Sequence, residues 1–142
     1  AAAVTAAETG HLVLSTLHTT GAASTIDRII DAFPEGGKEQ IRIQLASVLR
    51  GVVTQQLVPL ADGSGRCGAY EILLVTEAVG SLIRESKCYQ INSVLQTNMQ
   101  DGMRSMDNDL ARLVREGKIA LEEATKRANN QGEFMRFVGG LS

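Results

Sequence analysis

With 142 residues, 44% of them hydrophobic and 21% charged, the chain has the material for one domain, or one domain with an appendage, and for a real buried core. A formal charge of −2 excludes a generally basic surface drawn to nucleic acid or anionic membrane. No apolar run approaches the ~20 residues of a membrane-spanning helix, no signal peptide is visible, and Cys67 and Cys88 lack CxxC spacing, which favours free thiols in a reducing, cytosolic compartment.

The opening "AAAVTAAETGH" has no initiator Met and starts inside a helix-favouring stretch, so the expectation is a chain that begins partway through a larger protein. Residues 1–8 predict a helix that Gly10 stops. His11 to His18, nearly continuous in Leu, Val and Thr, predicts a strand buried on both faces, of the kind found in parallel α/β sheets. After a turn at Thr20 and Gly21, Ile26, Ile29, Ile30 and Phe33 mark one face of a helix that ends before Pro34. Lys38 to about Gln56 reads as a longer helix with Ile41, Leu45, Val48, Leu49 and Val52 on one side.

"QQLVPLADGSGRCGAYEILLV" predicts two strands joined by a glycine-rich turn. From Thr76 onward the pattern is helical, with candidates near 77–85, 88–97, 103–116 and 120–129, and Gly117 closing the third. The tail "RFVGGLS" reads as frayed. The fold class expected is therefore α/β, with 1–75 as one unit and 76–142 as a helical C-terminal region.

The two histidines, His11 and His18, are seven residues apart. On a strand an odd separation points them to opposite faces, so they cannot share one metal or one proton. With two dispersed cysteines to help, no zinc site is assembled. Ligands of open α/β sheets sit beyond the carboxyl ends of the strands, which places His18 beside a turn and a helix N-terminus suited to an anion. His11 falls at the opposite end, where a satisfied structural histidine is the expectation.

Gly63, Gly65 and Gly68 in "GSGRCG" match GxGxxG, but a strand-like "AYEILLV" follows where a dinucleotide site needs a helix. Asp62-Gly63 is a hairpin signal instead, and no GxxxxGK[ST] phosphate loop occurs in the sequence.

"TAAETGHLVLSTLHT" followed by "TIDRIIDAFP" closely resembles the secretion ATPases of type II and type IV pilus systems, the first segment resembling their histidine box. "AAETGH", "AYEILL" and "AVGSLIRE" are most similar to the type IV pilus retraction ATPases, and the resemblance runs from Thr5 to about Asn129. It implies the C-terminal portion of a RecA-like P-loop ATPase followed by a helical region. It also implies a homo-hexamer on the cytoplasmic side of the inner membrane, at a pilus platform protein, using ATP and Mg²⁺ to drive pilus retraction and twitching motility.

The family's phosphate loop, aspartate box and Walker B segment precede the histidine box, so most groups that hold ATP and Mg²⁺ are expected outside this chain, which alone should not hydrolyse ATP. By resemblance His18 matches the second histidine of the box, near the γ-phosphate, and His11 the first. Leu82, Ile83, Arg84 and Glu85 match the end of the family's A-I-R-N-L-I-R-E helix, associated with retraction rather than hydrolysis. Gly80 and Ser81 depart from it, standing where the motif has arginine and asparagine. The rival readings are an accessory retraction paralogue, a pilus extension or type II secretion ATPase, and a non-catalytic oligomerisation or docking module. Extension and secretion ATPases commonly carry a tetracysteine zinc module, which two cysteines cannot supply.

Overall fold

The computed structural model describes residues 1–140. It has eight α-helices and one two-stranded antiparallel sheet among them, and short 3₁₀ turns join several elements. In chain order these are α1 (Ala2–Glu8), α2 (Ala22–Asp31), α3 (Lys38–Val48), β1 (Gly51–Pro59), β2 (Arg66–Leu74), α4 (Glu77–Arg84), α5 (Ile91–Thr97), α6 (Met106–Arg115), α7 (Leu121–Arg127) and α8 (Gln131–Val138).

The hairpin is the axis of the molecule. β1 and β2 pair in a continuous register from Gly51 opposite Leu74 to Pro59 opposite Arg66. The β-branched Val52, Val53 and Thr54 favour this pleated geometry. In the turn, Gly63 adopts φ 73°, which a side chain would strain, and the Ser64 amide donates to the Asp62 carboxylate at 2.8 Å. The glycine pattern is thus hairpin punctuation, as its flanks predict.

Alternation along the strands gives the sheet one buried face: Thr54 and Val58 on β1, and Ala69, Glu71 and Leu73 on β2. Two apolar clusters pack there. The first joins Leu73 to Ala22, Ile26 and Ile30 of α2, Ile41 and Leu45 of α3, Val79 and Ile83 of α4, and Ile91 and Leu95 of α5. The second joins Val58 and Ala69 to Met106, Leu110 and Leu113 of α6, Ala124 of α7, and Phe134 and Phe137 of α8. Both cysteines are free; Cys88 is buried in the first cluster, and its desolvated thiol, which also faces Asp27, is pushed up to about 12.

Three expectations from the sequence are corrected. Residues 11–18 form no strand: the segment has no ladder partner, and Leu12 and Leu14 are each 87% exposed. A strand exists only through the hydrogen bonds of a neighbour, and β1 and β2 pair with each other and, at Ile72, with Arg104, not with 11–18. The helix begun at Lys38 stops at Val48 rather than near Gln56, because the β-branched run after Gly51 pairs with β2. The tail is not frayed up to Gly140: α8 carries Phe134 and Phe137, spaced i, i+3, into the second cluster, and Arg115 Nη1 donates to the Phe137 carbonyl. Leu141 and Ser142 lie outside the described residues.

The remaining helices follow their sequence signals. Gly10 (φ 93°) ends α1, and Gly117 (φ 72°) follows α6, where the Gly117 and Lys118 amides donate back to Val114 and Leu113. Thr76, Ser105 and Asn130 each accept an amide hydrogen bond as N-caps of α4, α6 and α8.

Candidate functional site around His18 and Glu71

His18 is exposed on the irregular segment between α1 and α2. It borders an open groove also lined by Thr19 and Thr20 and by Ser24, Asp27, Arg28 and Asp31 of α2. The Thr19 and Thr25 hydroxyls lie 2.5 Å apart and tie the segment to the first turn of α2. His11 is elsewhere: its Nδ1 sits 3.2 Å from the Ala6 carbonyl and 3.2 Å from the Thr9 hydroxyl, closing the C-terminal end of α1. The structure therefore does not bring the histidines into one site. Among the described residues no group of three or more His, Cys, Asp or Glu side chains is placed to hold a metal ion.

A phosphate is compatible with an imidazole, three hydroxyls and a guanidinium around an open groove, although Asp27 and Asp31 in the same lining oppose it. The donor set fits part of a nucleotide's phosphate shell and supplies no cluster for Mg²⁺. The α2 N-terminus, which the sequence offers to an external anion, already has an internal one. The Ala22 amide donates to Glu71 Oε1 at 2.8 Å.

Glu71 is the residue that sequence reasoning missed. It is 2% exposed, and its second oxygen, Oε2, accepts the Met106 amide at 3.2 Å, the first residue of α6. Burial pushes the carboxyl above its ordinary range; the two amides pull it back and Asp107 adds repulsion. Thr54, opposite Glu71 in the ladder, buries a hydroxyl that has no hydrogen-bond partner. The signal was present: in "AYEILL" the carboxylate stands between Ala69 and Leu73 at the spacing of the buried face.

Two further buried carboxylates brace the same region. Asp109, fully buried, accepts the Tyr70 amide at 2.8 Å, Arg104 Nη1 at 2.9 Å and Arg112 Nε at 2.8 Å. Asp107 accepts the amides of Asn129 (2.7 Å) and Asn130 (2.9 Å) ahead of α8, with its carboxyl raised chiefly by burial.

On α4, Ile83 is fully buried and Leu82 half-buried in the first cluster. Arg84 reaches along its own helix, Nη2 lying 3.0 Å from both Glu77 Oε1 and Ser81 Oγ, while Glu85 pairs with Lys87 at 3.1 Å. Arg84 also passes over Gly80, where a Cβ would stand 3.4 Å from its Nη1. α4 shares the first cluster with α2, but the arginine head and His18 do not meet in one groove.

Comparison with known proteins places this arrangement in a family. Residues 1–126 match the model of the type II/IV secretion system proteins. The chain is 56% identical over 135 residues to the twitching motility protein of Neisseria gonorrhoeae, covering 95% of this chain and 36% of that protein. Against the type IV pilus retraction ATPase PilT of Pseudomonas aeruginosa, identity is 47% over 132 residues, 93% of this chain and 38% of the relative. The crystal structure of the pilus retraction motor PilT with bound ADP superposes with a TM-score of 0.82 at 42% identity, covering 95% of this chain and 37% of that one. The chain thus spans little more than a third of the length of these relatives, and its α/β fold is that of the matching stretch of the ATPase. It belongs to the type II/IV secretion system protein family.

Proposed function

We propose that this chain is the C-terminal part of a hexameric ATPase that powers type IV pilus retraction at a platform protein of the inner membrane. The observation that carries this reading is the 56% identity with a twitching motility protein across 95% of the chain. The backbone likeness to an ADP-bound retraction motor supports a nucleotide as the ligand. In this reading 1–75 supply the end of the ATPase core and 76–142 the helical region beside it.

Phosphoryl transfer depends on positioning and on stabilising charge at the γ-phosphate. Mg²⁺ would neutralise part of that charge, bound mainly by groups outside this chain. In this reading His18, which lines the groove, donates a hydrogen bond to the terminal phosphate and reports its presence to α2 through the Thr19–Thr25 hydroxyl contact. His11, held at the end of α1, shapes the approach rather than touching phosphate. Leu82 and Ile83 anchor α4 in the core, leaving Arg84 and Glu85 on its accessible side to act in retraction. Alone, the chain is expected to be inactive.

The test uses the full-length protein. His18→Ala should slow ATP turnover about tenfold or more, equivalent to about 1.4 kcal/mol of barrier. Arg84→Ala should largely spare turnover while impairing twitching. Unchanged turnover in the first variant would remove His18 from the phosphate site, and normal motility in the second would remove Arg84 from retraction.

A further inference from the structure

Glu71 divides one rigid, planar group between two helices. Oε1 receives the first amide of α2 and Oε2 the first amide of α6. Those helices bury their side chains in different clusters, α2 in the first and α6 in the second. The backbone beneath the carboxylate is fixed on both sides. Glu71 pairs with Thr54 across the hairpin, and the next residue, Ile72, exchanges both backbone hydrogen bonds with Arg104, just ahead of α6. The start of α2 packs directly on the carboxylate: a Cβ at Gly21 would stand 3.8 Å from Oε1, in ordinary van der Waals contact.

On the other side of the junction, His18 lies three residues before Gly21, and Thr19 is hydroxyl-bonded to Thr25 in the first turn of α2. A displacement of the His18 segment therefore moves the start of α2. Whatever moves the start of α2 pulls on one oxygen of a carboxylate whose other oxygen holds α6.

We propose that Glu71 is a positioning residue, a two-oxygen strut that carries a nucleotide-dependent shift of the His18 segment to the start of α6 and so to the helical region. This rests on the reading that His18 faces the terminal phosphate. The strut needs both oxygens and the full glutamate length. Glutamine offers one acceptor and turns an NH₂ group toward the second amide; aspartate is one methylene short and reaches one helix at a time. Both variants are compared with the wild type at saturating nucleotide. A merely structural glutamate would lower stability in each variant without separating the responses of α2 and α6.

Hydrogen exchange of the full-length protein, with ADP against a non-hydrolysable ATP analogue, tests the strut. In the wild type, both 18–31 and 106–110 should change protection between the two nucleotides. In Glu71→Gln the response at 18–31 should persist and that at 106–110 vanish, with the Met106 amide exchanging about tenfold faster in either state. Where Glu71→Gln does not fold, Glu71→Asp is expected to give the same separation. A wild-type response at 18–31 with none at 106–110, or a variant that keeps the α6 response, overturns the strut and leaves the proposed function standing. A wild type with no response at 18–31 overturns the phosphate role of His18, and the strut falls with it.

Discussion

Gly80 is one of the two positions, with Ser81, where the chain departs from the retraction motif, and replacing it by alanine tests the packing of α4 on α3. A glycine inside a helix costs ~1 kcal/mol against alanine, through backbone entropy in the unfolded chain. Whether that gain is realised depends on the space available. A Cβ at Gly80 would meet Arg84 Nη1 at 3.4 Å and the Ala46 carbonyl of α3 at 3.6 Å. The first neighbour is the end of a flexible side chain, 37% exposed; the second is an ordinary van der Waals contact. Steric loss should therefore be small, and Gly80→Ala should stabilise the protein by about 0.5–1 kcal/mol. Urea unfolding followed by circular dichroism should show a higher midpoint at unchanged slope. Gly80→Arg, which restores the motif residue, should gain less, because two guanidinium groups at i and i+4 repel by about 0.2–0.5 kcal/mol. A lower midpoint for Gly80→Ala would refute the reasoning and show that α3 and α4 require glycine for their approach.

Phe134→Ala should cost about 3–5 kcal/mol in the same assay, because the ring is fully buried in the second cluster; a loss under about 1 kcal/mol would mean α8 is not docked. The raised carboxyl of Glu71 has a definite sign. A group that binds its proton more tightly when folded contributes stability that is fully present below its unfolded pKa, near 4.5, and is lost as pH rises through the folded value. The stability of the wild type relative to Glu71→Gln should therefore be greater at acid pH than at neutral pH. The exposed Asp62, Glu116 and Glu123, whose pKa values are lowered, titrate alike in both proteins and cancel; a difference that is flat or reversed with pH would contradict the assignment.

The hairpin and most of the helices were legible because their signals are local. Asp62-Gly63 sets the turn, alternation sets the buried face, and Gly117 follows the end of α6. The misreadings share a cause in partners that local pattern does not name. Residues 11–18 have the composition of a buried strand, yet a ladder needs a second chain segment, and none pairs with them. Val52 fits the face of a continuing α3 as well as it fits β1, and pairing with Leu73 decides between them. Of the candidate site, the resemblance supplied His18 and Arg84. The carboxylates of Glu71, Asp107 and Asp109 stayed hidden because each holds backbone amides 22 to 49 residues away, even though the arginines paired with Asp109, Arg104 and Arg112, are its near neighbours in sequence.

The shared buried face of the hairpin also sets where along it the chain length can change. Val58, Ala69, Glu71 and Leu73 serve both clusters through one register, so a one-residue slip would turn all of β2's inward residues to solvent together and bring Tyr70 and Ile72 inward. A single residue inserted within 66–70 would cause such a slip, uncoupling the two cores and releasing Glu71 from both helices in a single event. Residues added at 60–65, outside the ladder, can instead be looped out with the register kept. Changes in length should accordingly be accepted at 60–65 and rejected within 51–59 and 66–74.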